Sequence, residues 1–127
     1  MIYNIVYYAQ SQTSYTIKAN GTPSGFKGNV IIMNLRGGDT PARINRTEYS
    51  LQLVVKNEQQ VLGNEIIKDI YDVFDDIYNF ILPEVTVNSK VYPAVTVAQC
   101  SPNQYPGYIG TDENGLHLFS VNFRFIV

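Results

Sequence analysis

The chain has 127 residues, 45% of them hydrophobic, with 9 basic and 11 acidic side chains for a formal net charge of -2. That length supports one domain, residues 1–127, with a core of its own, and the small acidic balance excludes general nucleic-acid binding, which needs clustered Lys and Arg to displace counterions. The single cysteine, Cys100, excludes an intrachain disulfide and fits a reducing compartment. No apolar run nears the ~18 residues of a membrane span, and the start lacks the basic-then-apolar pattern of an export signal, so neither export nor membrane insertion is expected.

Ile2, Ile5, Val6 and Ala9 have helical spacing and predict a short N-terminal helix ending in the polar run Gln10 to Ser14. Tyr15, Ile17 and Ala19 alternate with Thr16 and Lys18, the pattern of a brief strand stopped by Asn20 and Gly21, and Gly21 to Gly28 reads as a loop. The compact run Val30, Ile31, Ile32, Met33 and Leu35 predicts a strand buried on both faces. After a polar stretch from Gly37 to Arg46, too long for a tight hairpin, residues 47–56 alternate again. Tyr49, Leu51, Leu53 and Val55 form one face there, with Val54 the exception.

The strongest periodicity follows. In QQVLGNEIIKDIYDVFDDIYNFIL, Gln59 to Leu82, the residues Leu62, Ile66, Ile70, Val73, Phe74, Ile77 and Ile81 recur at steps of three or four, predicting one long amphipathic helix over 62–81. Pro83 stops it. Val85 to Val87 and Val91 to Val97 flank Asn88 and Ser89 as a hairpin, and Ser101 to Gly110 reads as constrained but irregular. The last strand is the clearest. Phe119, Val121, Phe123, Phe125 and Val127 point one way, and Asp112 to Gly115 turn into it.

The order α, β, β, β, α, β, β, β predicts an α+β fold: a mostly antiparallel mixed β-sheet with the long helix and the short N-terminal helix packed on it. Burying the inward side chains of the strand at 49–55 and of the last strand against the long helix contributes about 1.5 to 3 kcal/mol each. Ten Tyr and six Phe exceed what a modest core requires, and Tyr suits contact surfaces.

The chemistry-bearing residues form no catalytic set. His117 is the only histidine, so a histidine metal cluster or a triad with a second histidine is excluded, and Cys100 has no CxxC partner. The glycines at 25, 28, 37 and 38 lack the spacing and the following Lys of a phosphate loop. Asp112, Glu113 and Asn114 are adjacent rather than alternating, which fits a turn better than a calcium loop. No catalytic residue, cofactor or metal ligand is assigned. One pattern does stand out. Glu65, Asp69, Asp72 and Asp76 follow at steps of four, three and four, so the long helix would carry four carboxylates on one face, a pattern that costs a few tenths of a kcal/mol per like-charged pair. Such a stripe is a solvated face, a surface meeting basic side chains of another subunit, or one that repels something anionic.

Four segments together, NVIIMNLRGGDTP, EYSLQLVVKN, QQVLGNEIIKDIYDVFDD and YPGYIGTDENGLHLFSVNFRF, resemble the tail terminator or tail completion proteins of long-tailed bacteriophages, called minor capsid proteins in phages of Gram-positive hosts. The resemblance covers roughly residues 26–127 and leaves Tyr15 to Gly28 without a counterpart. It implies a subunit of a hexameric ring at the head-proximal end of the tail in the virion, assembled in the host bacterial cytoplasm. That ring would end tube polymerisation and join the head connector, with the tail tube protein, the head-side connector or neck protein and other copies of itself as partners. DNA would pass through the lumen without specific binding, and no membrane would be involved. The loop bearing Arg43 and Arg46 and the PGYIGTDENG segment are the parts carried over. A cyclic interface needs two different patches on each subunit, and Arg43 or Arg46 meeting the neighbour's Glu65, Asp69, Asp72 and Asp76 would supply them. Two rivals remain open: a head-completion or neck protein bound to the portal, and a small-molecule-binding α+β module.

Overall fold

A computed structural model describes residues 1–21, 28–36 and 47–127. The first helix, α1 (Ile2–Thr13), buries Ile2, Ile5, Val6 and Ala9, the positions its helical spacing selects. It stops at Ser14, which takes a left-handed conformation (φ 67°) and donates its N–H to the Gln10 carbonyl at 2.9 Å. Gln10 Oε1 then accepts the Ile17 N–H at 2.8 Å, steering the chain into β1 (Lys18–Ala19).

Strands β2 (Val30–Arg36) and β3 (Glu48–Asn57) follow as predicted, pairing antiparallel from Val30↔Lys56 to Arg36↔Ser50. The second helix, α2 (Gln60–Phe74), is shorter than the sequence suggests. Periodicity predicts helix to residue 81, but Asp75 is extended, Asp76 is left-handed (φ 47°), and Ile77–Leu82 forms a strand, β4. The physical reason lies at Asn79. It too is left-handed (φ 50°) and breaks the two-residue alternation, so Ile77, Phe80 and Leu82 turn inward at a spacing that imitates a helix. Ile81 is consequently 63% exposed; at the other end of the expected apolar stripe, Leu62 is 39% exposed.

Strands β5 (Val85–Val87) and β6 (Lys90–Tyr92) make the expected hairpin, with Asn88 and Ser89 both at positive φ (51° and 66°), the geometry of a two-residue type I′ turn. The hairpin is shorter than predicted, because Pro93 and Ala94 separate β6 from β7 (Val95–Pro102). The segment expected to be irregular contains a further strand, β8 (Gly107–Thr111), before β9 (His117–Ile126).

The main sheet has the order β1-β2-β3-β9-β7-β4, with β8 also paired to β9. Only β1 and β2 run parallel. One side of β9 pairs with β3 along its whole length, from Glu48↔Ile126 to Asn57↔His117. The other side is shared: β7 takes Phe123 to Ile126 and β8 takes His117 to Ser120. Register places Met33, Leu53 and Val121 in one row, and Ile31, Val55 and Phe119 in the next, all on the face under the helices. Phe74 closes that core. Its ring stands edge-on to Phe123 and Phe125, each at 5.7 Å between centroids. The fold is therefore the α+β class expected, a mostly antiparallel mixed sheet with both helices on one face.

Candidate assembly surfaces

Three surfaces differ in chemistry. The first is the outward face of α2, where Glu65, Asp69 and Asp72 are all exposed with Lys68 among them. Asp76 lies in the turn after the helix, so the expected four-carboxylate helical stripe shortens to three and continues as Asp75 and Asp76 into β4. Asp69 is not merely solvated. Its Oδ2 accepts the Tyr15 hydroxyl at 2.6 Å, and that bond, with desolvation and the charges of Asp69 and Glu65, pushes the phenol up to about 12. Beside it, Gln12, Thr13, Asp69, Asp72 and Val73 line an open depression of about 330 Å³.

The second surface is the sheet face turned away from the helices. Asn34 donates its side-chain amide to Gln52 Oε1 at 3.3 Å, and Asn122 stands across from Gln52, a polar row over three strands. In the next row Arg36 faces Ser50, which faces Arg124, which faces Ser101. Lys56 lies between Val30 and Leu118, and Lys18 opposite Ile32, on this same face. Glu48 is its carboxylate among the described residues. Among the described residues, the helix face and the sheet face thus carry opposite charge.

The third surface is the rim formed by sheet edges and aromatics. The sheet ends in β1 on one side and β4 on the other, and β4 displays Tyr78 (59% exposed) and Ile81. Near β8, Tyr105 stacks on Tyr71 at 5.3 Å, and the Tyr108 hydroxyl lies 2.8 Å from His117 Nδ1. Asp112 acts as a turn organiser: its Oδ1 accepts the N–H groups of Asn114 and Leu116, while Gly115 sits at φ 77°. The Cys100 thiol is buried and donates to the Phe74 carbonyl, with burial raising it well above the usual thiol range.

Arg43 and Arg46, expected to meet the acidic face of a neighbour, lie outside the described residues. Sequence reasoning missed Tyr15 as the partner of Asp69 and missed the β4 edge. Nothing in the sequence marks the first; the aromatic and β-branched run IYNFIL after two aspartates was the signal for the second. Among the described residues no helix is long and apolar enough to cross a membrane, and no cluster of metal-ligating side chains is found.

No curated protein matches the chain at a significant level. The family model described as bacteriophage tail terminator protein matches residues 15–127, reaching further toward the N-terminus than the resemblance of its sequence segments and taking in Tyr15. The chain belongs to the bacteriophage tail terminator protein family.

Proposed function

We propose that this tail-assembly protein, a component of the phage tail and so of the virion, caps the tail tube at its head-proximal end as a homo-hexameric ring, ends tube polymerisation and forms the joint to the head-side connector. Family membership over residues 15–127 carries the reading. The surfaces support it. A head-to-tail ring needs two unlike patches per subunit, and this one has an acidic helix face, a basic sheet face and two sheet edges of different character. The family is structural, and the mechanism is steric: a closed annulus on the last tube layer leaves no surface for another. Arg43 or Arg46 would then set register against the neighbour's Glu65, Asp69, Asp72 and Asp76, a rim contact that favours correct alignment more than affinity. DNA passes through the lumen without specific binding.

The test is electron microscopy of lysates from phage lacking this chain, with binding of the purified chain to tube and portal proteins. Tails of uncontrolled length that fail to join heads, together with binding to the tube protein, support the proposal. Tails of normal length, or binding to the portal alone, move the chain to the head-completion reading.

A further inference from the structure

We infer that copies of this chain join through their sheet edges, the β4 edge of one copy docking on the β1–β2 edge of the next. The inference rests on the ring reading above and names its joint. Strand β4 has the sequence IYNFIL, six residues with no charge and no proline, and among the described residues nothing pairs with its side away from β7. Edge strands are ordinarily guarded by charges, proline or extreme shortness, because an open ladder of N–H and C=O groups recruits another chain. Here the edge instead exposes Tyr78 and Ile81.

Charge decides which copy edge fits. Strand β4 is flanked by Asp75 and Asp76 at its start and by Glu84 after its end, all exposed. An antiparallel β4-to-β4 joint would bring the aspartates of each copy beside Glu84 of the other, like charges facing at both ends. The opposite edge of the sheet carries Lys18 and Arg36, also exposed. Pairing β4 with that edge is charge-complementary, and pairing unlike edges generates a ring or a filament rather than a closed pair. Because β1 has only two residues, Tyr78 and Ile81 supply most of the contact, and the flanking charges, acidic at both ends of β4 and basic on the other edge, select the unlike edge.

The experiment uses phage encoding the full chain with Thr16→Cys and Thr96→Cys, exposed positions beside the two edges that leave the joint residues intact. Within one copy, β1 and β7 are separated by four strand spacings, about 19 Å, beyond a short bismaleimide. Cross-linked virions are expected to give a ladder of covalent multimers from the double variant and none from either single variant. Separately, Ile81→Lys, at a solvent-facing position, is expected to lower incorporation of the chain into tails by about tenfold without lowering its melting temperature. Covalent dimers from Thr96→Cys alone, or full incorporation of Ile81→Lys, overturn the inference. So does the double-variant chain present in joined tails with no ladder, an outcome that leaves the ring reading standing. Absence of the unmodified chain from tails removes the ring reading, and the joint with it.

Discussion

The hydroxyl of Tyr15 donates a 2.6 Å hydrogen bond to Asp69, tying the segment after α1 to the acidic face of α2 across 54 positions of sequence. It holds the exit of one helix against the other and fixes the orientation of a carboxylate on a surface proposed to meet a neighbour. Tyr15→Phe is expected to cost about 0.5–1 kcal/mol, the modest worth of a solvent-exposed charge-assisted contact. The phenol is raised in the folded state from 10.0 to about 12, so its contribution is complete below pH 10.0 and disappears as pH rises toward about 12. Denaturant titrations across that window should converge for the parent and Tyr15→Phe proteins, and phenolate absorbance should lose its highest-pH component in the variant.

Gly63 sets how closely α2 approaches β9. A Cβ there would lie 2.6 Å from Phe119 Cε2 and 3.3 Å from Asn57 Cβ, and the Phe119 ring is buried against Tyr108. Gly63→Ala gains up to about 1 kcal/mol of helix propensity but meets an overpacking cost of about 1–3 kcal/mol, so a net loss of stability is expected. Adding Phe119→Leu should recover part of it. A double-mutant cycle by chemical denaturation measures the coupling, which should exceed about 0.5 kcal/mol.

Asn4 is buried in α1, and its amide nitrogen reaches the carbonyls of Pro83, Tyr92 and Pro93 at 3.0, 3.3 and 3.0 Å. Both ends of the β5–β6 hairpin hang on this one side chain. Asn4→Ala strands those acceptors and should cost about 1–3 kcal/mol. Hydrogen exchange should rise first in residues 85–92, before the main sheet opens.

The Cys100 thiol is shielded by burial and further disfavoured as a thiolate by Asp76 and Asp75. In the folded protein it should resist thiol reagents at neutral and mildly alkaline pH, and its labelling rate should follow the rate of opening determined independently by denaturant. Fast labelling of the folded chain would contradict the placement of β7 beneath α2.

Reversing charge with Asp72→Lys and Asp76→Lys should prevent incorporation into tails while the fold is retained, since both are exposed and the left-handed backbone at Asp76 costs Lys only about 1–2 kcal/mol. Tails with normal content of the chain but impaired DNA ejection would instead assign these carboxylates to the lumen.

The sequence made the long central strands β3 and β9 legible because each alternates along most of its length, Val54 aside, and the two pair end to end, so local pattern and tertiary burial agree. The Asn88-Ser89 turn was legible for the same reason, since the hairpin needs two residues able to hold positive φ. The end of α2 was not. Ile77 to Ile81 repeats at helical spacing, and only pairing with Val95 to Cys100, distant in sequence, makes that stretch a strand. Strand β8 was hidden by Pro106, Gly107 and Gly110, which read as loop although a register shift between Tyr108 and Gly110 accommodates them against β9. The acidic face was visible as a spacing, but its link to Tyr15 depends on how α1 and α2 lie side by side, which no local pattern encodes.

The proposed role is one of fit, an annulus of like subunits at one end of a protein cylinder. Electron cryomicroscopy of intact tails tests this most directly. The expected result is a single closed ring of copies of this fold on the head-proximal layer of the tube, with the sheet edges of adjacent copies in contact. Copies spread along the tube, confined to the head, or present singly with a ligand enclosed would contradict it.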